Sequence, residues 1–327
     1  MKKLSLAFWF VDSCVENDSN VELHINVWKI PLSDKDNAKF LDIGLMIRDY
    51  TSGASLCMFV PDPNFGMVNF DDLGANLTNN QSVAFHAVFN ERLIITTCSC
   101  DKFAKIKRDS GESFILYKLD KHNGDVSIDS DRYGGSIVKI KIPEMPDEGK
   151  DINNIYFRFR LSGVCIEESF TQDNLASDAL QHYISRIELF DMRVNEVRTL
   201  PDSLVESMSR NAVRFNKIQF FLMCDAKEEL VLAKTGQKNA RNLESEIWEN
   251  YIRSAGKFKN NSSIIAYQWS KQTADNEKDK IDDFSMLIKI KLDTISNGKI
   301  VCAICFVIAV GVISSLISSL ITWFFFS

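Results

Sequence analysis

The segment Ile155–Ser162 reads Ile-Tyr-Phe-Arg-Phe-Arg-Leu-Ser. Ile155, Phe157, Phe159 and Leu161 fall on one face of an extended chain, and Tyr156, Arg158, Arg160 and Ser162 on the other. Alternation of this kind specifies a strand with one buried and one polar face. It sets the class of the chain as mainly β, and the same reading extends outward in both directions.

Towards the N-terminus, Leu4–Val11 is a continuous apolar strand. Val21–Ile30 alternates, with Glu22, His24 and Asn26 on its polar face. Phe40–Ile47 and Ser55–Val60 are expected to pair as a hairpin through Arg48–Gly53, closed by Pro61 and Pro63. A short helix, Asp71–Leu77, is expected with Asp71 as its cap. Arg92–Cys100, Ser113–Leu119 and Ser136–Ile142 continue the strands, with turns at Asn123-Gly124 and Gly134-Gly135. The polar stretch Pro143–Asn154 separates a β-rich region, 1–142, from an α+β region, 155–270.

Within the second region, Tyr183–Leu200 reads as a long strand whose apolar phase shifts at Leu189-Phe190, as at a β-bulge. Pro201–Asn211 reads as a helix with the capping box Ser203-x-x-Glu206. Lys217–Cys224 reads as a buried strand and Ser263–Trp269 as another. Asn239–Arg253 reads as a helix with Leu243, Ile247, Trp248, Tyr251 and Ile252 on its core face. The whole describes a sandwich-like β body with a few helices.

Residues 271–298 read differently. Lys271–Lys280 is a charged tether. Ile281, Phe284, Leu287, Ile288, Leu292 and Ile295 recur at helical spacing, as in an amphipathic juxtamembrane segment. Asn297-Gly298 permits a bend. In the last part, 299–327, Ile300–Phe326 carries no charge. As a helix it reaches roughly 40 Å, against roughly 30 Å of bilayer hydrocarbon. Lys289, Lys291 and Lys299 precede it, so the positive-inside rule keeps the body cytoplasmic. The expectation is a single-pass tail anchor in the cell inner membrane, with Trp323 and Phe324–Phe326 at the far interface. The Leu4–Val11 run is too short and too soon ended by Asp12 to be a signal peptide.

Gly311, Ser315, Ser318 and Thr322 lie within about 60° of one another on that helix, flanked by Ser314 and Ser319. Such a face packs helices closely and suggests a homo-oligomer. The net charge of −6 argues against nucleic acid as a partner. The one basic cluster, Lys102–Arg108, reads as a solvated strand edge.

No spacing of the eight cysteines and four histidines makes a metal site, and no nucleophile elbow or phosphate loop is present. Gly163-Val-Cys165 beside Glu167 and Glu168 lacks a visible histidine base. The expectation is a protein without catalytic residues or cofactor. Arg158 and Arg160, with Tyr156, form the candidate ligand site: arginine forks suit a small anionic messenger such as a nucleotide. The competing reading pairs them with an acid such as Glu188. Phe65–Phe70 is a candidate recognition loop.

Leu41-Asp-Ile-Gly-Leu-Met-Ile47, Asp72-Leu-Gly74, Val88-Phe-Asn-Glu91 and Lys217-Ile-Gln-Phe-Phe-Leu222 together resemble an uncharacterised group of bacterial tail-anchored proteins associated with anti-phage defence loci. None of these pieces is a catalytic motif. The resemblance implies a membrane-acting effector held quiet until infection. Its body would sense a protein partner or small anionic messenger and control association of the membrane helix. The alternatives are a binding module on an inert anchor and a membrane-tethered enzyme.

Overall fold

In the computed structural model the alternating segment Ile155–Ser162 is a strand inside a two-sheet body. The structure describes residues 3–11, 20–34, 37–50, 52–61, 68–78, 82–109, 111–144, 149, 151–172, 185–233, 239–260, 262–273, 280–293 and 297–326. The first sheet runs, in spatial order, β15 (Glu228–Ala233), β18 (Phe284–Asp293), β13 (Ser185–Val194), β1 (Leu4–Val11), β4 (Ser55–Pro61), β10 (Gly135–Lys141) and β9 (Val126–Arg132), with β12 (Phe170–Gln172) also on β13. The second runs β16 (Asn239–Leu243), β17 (Ile264–Gln272), β14 (Phe215–Asp225), β2 (Asn20–Ile30), β3 (Ala38–Arg48), β11 (Ile155–Ser162), β8 (Phe114–Tyr117), β7 (Phe103–Arg108) and β6 (Leu93–Thr97), with β5 (Asn69–Asp72) on β11. Both sheets are mixed: β1 runs parallel to β13, and β2 parallel to β14.

The sheets face each other across the main core. Leu6, Phe8, Met58, Phe190 and Ile288 come from the first sheet, and Leu23, Ile43, Phe157, Phe159 and Phe220 from the second. The outer face of the second sheet is covered as well. α1 (Gly74–Thr78), α2 (Ser82–Phe89), α5 (Ser245–Trp248) and the turns after α5 close over Trp28, Phe40, Met46 and Tyr156. α4 (Asp202–Met208) lies on the outer face of the first sheet, with Leu204 and Met208 against Trp9, Phe59 and Ile137. α3 (Val164–Glu168) follows β11, and α6 (Asn297–Phe326) ends the described chain.

Each sheet contains strands from both halves of the sequence, so 1–142 and 155–270 build one sandwich. β18 adds residues that the sequence assigns to an amphipathic juxtamembrane segment. Phe284, Met286, Ile288 and Ile290 point into the core at period two, and all ten residues pair in register with β13. That replaces the amphipathic juxtamembrane segment. The helical spacing and the alternation coexist in this sequence, and the open side of β13 selects the strand. Residues 274–279 of the expected tether lie outside the described residues.

Other expectations are corrected in the same way. β3 and β4 do not form a hairpin: β3 pairs with β2 and β11, and β4 with β1 and β10, so the connection crosses between sheets. The helix predicted over Asn239–Arg253 begins as the edge strand β16, and only Ser245–Trp248 is α-helical. Trp248, Tyr251 and Ile252 are nonetheless buried as predicted. β13 runs without a bulge at Leu189-Phe190. α4 starts at Asp202 after Pro201, and Ser203 does not cap it. Asp72, not Asp71, caps α1, its Oδ2 accepting from Ala75 N at 3.1 Å. Lys102–Arg108 forms most of β7, which lies between β6 and β8 rather than at an edge.

Candidate functional site

Tyr156, Arg158 and Arg160 share one face of β11, as the alternation requires. That face is not open. Tyr156 and Arg158 are 0% exposed and Arg160 is 1% exposed, because α2 and the segment after α5 close over the second sheet. The neighbouring strands bring His24 and Asn26 of β2 and Asp42 of β3 to the same buried face, all in direct register with β11 through β3.

Arg160 sits opposite Asp42 across the β3–β11 pair. Its Nε donates to Oδ1 at 2.7 Å and its Nη2 to Oδ2 at 3.1 Å. The indole Nε1 of Trp28 donates to the same carboxylate at 2.8 Å. Arg160 Nη1 reaches Ser254 Oγ at 3.1 Å, and its guanidinium lies 4.2 Å from the centroid of the Phe40 ring. Cross-strand pairing with an acid thus holds for Arg160, with Asp42 in place of Glu188. Glu188 belongs to the opposite sheet.

Arg158 has no carboxylate partner among the described residues. Its Nε donates to Tyr251 OH at 2.6 Å and its Nη1 to Tyr156 OH at 2.9 Å. Its Nη2 is buried without a hydrogen-bond partner. Tyr156 OH lies 3.3 Å from His24 Nδ1. Burial drives the His24 imidazole down to about 3, against the opposing pull of Glu22. A pKa this low favours the neutral ring, which shares a hydrogen bond with the Tyr156 hydroxyl. Gly44, opposite Arg158 on β3, makes room for this: a Cβ there would stand 2.1 Å from Tyr156 OH.

The arrangement is a buried clasp. It fastens Tyr251 and Ser254 of the covering segment to the central strands and presents no open anion site. Its charge is lopsided, two guanidinium groups against one carboxylate, and burying unpaired charge is costly. The neutral His24 has a measurable consequence. A histidine depressed from 6.5 to about 3 contributes stability that is full above pH 6.5 and is lost as pH falls towards 3. The unfolding free energy should drop by about 1 kcal/mol or slightly more per pH unit across that window. His24→Phe should flatten the slope in denaturant titrations at pH 7, 6, 5 and 4; an unchanged slope would assign the acid sensitivity elsewhere.

A second buried charged cluster lies between the sheets, and the sequence reading missed it. Lys29 of β2 forms ion pairs with Glu228 of β15 and, at 3.3 Å, with Glu188 of β13. Arg186 also pairs with Glu188 at 2.8 Å, and Lys39 lies 3.7 Å from it. Burial pushes the Glu228 carboxyl up, with Lys29 opposing. The Cys224 thiol is pushed up to about 12 by burial. Cys165 is buried in the core between the sheets, so it is not presented as a nucleophile. Among the described residues no group of three or more His, Cys, Asp or Glu could hold a metal ion. His182 and Phe65–Met67 of the candidate recognition loop lie outside the described residues, while Phe70 stacks on Phe159 at 4.8 Å.

α6 contributes the third feature. Ile304–Ile321 has a mean hydropathy of 2.6 and none of it is buried against the body. Gly311 has open space where a Cβ would be. Ser319 Oγ donates to its own helix at Ser315 O, 3.0 Å away, so this hydroxyl is satisfied without a neighbouring helix. Ser314, Ser315 and Ser318 stand in the same exposed helix; the side chain of Thr322 lies outside the described residues. No protein-family model matches this chain, and neither does the sequence of any curated protein.

Proposed function

We propose that this chain is a non-enzymatic membrane protein, anchored in a cell inner membrane by α6, with its β-sandwich body on the cytoplasmic side. The body receives a signal and controls self-association of the anchor, which perturbs the bilayer in the manner of a defence effector. The observation that carries this reading is α6 itself, thirty residues long and uncovered by the body, with Gly311, Ser314, Ser315, Ser318, Ser319 and Thr322 gathered on one side. Uncovered apolar helices need lipid or other helices around them, and small residues favour helices. The burial of Arg158 and Arg160 favours a protein as the signal. A small anion would first have to displace Tyr251.

The test is membrane potential in bacteria expressing the intact chain. Gly311→Leu with Ser315→Leu should abolish depolarisation while the chain stays in the membrane fraction. Depolarisation at the original level in that double variant would remove the packing face from the mechanism. Replacing residues 300–326 by a poly-leucine helix separates the second reading, a recruiting module on an inert anchor, in which function survives the exchange.

A further inference from the structure

The connection between body and anchor decides which end of the sandwich meets the bilayer. β18 is locked into the first sheet by β13 on one side and β15 on the other. It ends at Asp293 and α6 begins at Asn297. Four chain steps of at most about 3.6 Å limit that gap to roughly 14 Å. The apolar run opens at Ile300, only about 5 Å further along the helix. No long tether separates them, so the end of the sandwich at Asp293 lies within reach of the lipid headgroups.

Pairing identifies what else stands at that end. Leu292 lies opposite Glu228, which follows the turn Asp225–Lys227. Ala226 N donates to Ser263 O, and Asp225 lies opposite Ile264, so the loop before β17 stands beside this turn. In the same loop Lys259 N donates to Pro31 O, and Ser33 N to Lys257 O. Lys227, Lys257 and Lys259 are all exposed there. Asp34, Glu229 and Glu244 are exposed at the same end, so the surface is mixed, but its two adjoining loops also project lysines. By contrast Lys121–Gly124 lies at the far end, next to the strand pair in which Lys141 N donates to Asp125 O.

We infer that this end of the body rests on anionic lipid headgroups through Lys227, Lys257 and Lys259, holding the strands upright on the membrane and turning the opposite end to the cytosol. Short-range attraction between juxtamembrane lysines and an anionic leaflet supplies the contact, and salt screens it over about 10 Å. The inference rests on α6 spanning the bilayer, so the test reports both separately.

The intact chain is placed in nanodiscs of phosphatidylcholine with about one-third phosphatidylglycerol, the charged-surface condition that the attraction requires. A photo-crosslinking amino acid replaces Val312, Asn260 or Asn123 in separate preparations, and lipid adducts are measured by mass spectrometry. Adducts at 312 report insertion. Adducts at 260 but not at 123 are expected, falling several-fold in pure phosphatidylcholine and in the K227E/K257E/K259E variant. Equal labelling at 260 and 123, or labelling at 312 with none at 260, overturns the docked orientation. Labelling at 260 that ignores lipid charge and the lysine changes overturns the anionic contact. Absence of labelling at 312 instead removes the anchor on which the inference stands.

Discussion

Asp42→Ala should destabilise the body by roughly 3–5 kcal/mol, the usual cost of removing one partner from a buried ion pair. Asp42 is 0% exposed and, among the described residues, is the one carboxylate hydrogen-bonded to Arg160, while Arg158 beside it has none. Its loss leaves Arg160 without an acid and Trp28 Nε1 without an acceptor. It also frees the Arg160 guanidinium, which holds Ser254 of the covering segment, from the carboxylate that orients it. Urea unfolding of the two proteins measures the difference. The double variant Asp42→Leu with Arg160→Met should recover much of the loss, since replacing a buried pair by apolar groups is often neutral. A single variant within 1 kcal/mol of the parent would mean that water or a rearranged partner takes the place of Asp42.

The second large effect concerns where the soluble body ends. A chain stopped at Ser296 should fold, whereas one stopped at Lys280 should be insoluble or unfolded. The shorter chain lacks β18, and so loses the burial of Phe284, Met286, Ile288 and Ile290. At about 1.5–3 kcal/mol for each buried side chain, the loss rivals the whole stability of a domain, about 5–15 kcal/mol. It also strips β13 of ten paired residues, leaving β13 as an open edge and β15 without a pairing strand, a template for aggregation. Soluble yield and far-ultraviolet circular dichroism of the two chains decide the point. Equal folding of both would make residues 281–293 the amphipathic juxtamembrane segment that their spacing suggests, outside the folded body.

The clasp and the ending of the body show how the two levels of information divide. Ile155–Ser162, Leu4–Val11 and Lys217–Cys224 were legible as strands because each side chain's face follows from the backbone's period of two. Ile300–Phe326 was legible because its length and absence of charge mark a helix long and apolar enough to cross a membrane. The buried side chains of Trp248, Tyr251 and Ile252 were legible as apolar positions even where their helix was not. Arg158 and Arg160 were legible as neighbours on one face, read either as a ligand site or as partners of an acid such as Glu188, but not as buried under a covering segment. Nothing in one strand says that a later segment will cover its polar side, and Asp42 lies far away in sequence between two core residues.

Only the tertiary structure decided that Asp42 neutralises Arg160, that Lys29 joins Glu188 and Glu228 across the sandwich, and that 281–293 is a strand. Each depends on a neighbour distant along the chain. For Phe284–Asp293 the neighbour is the vacant edge of β13, where a strand completes hydrogen bonds that a surface helix would leave to water. The sequence by itself determined the β class and the single long apolar helix, which are properties of local period and length. Tertiary structure decided sheet membership, charge pairing and the extension of the body as far as Asp293, because these depend on which distant segments meet.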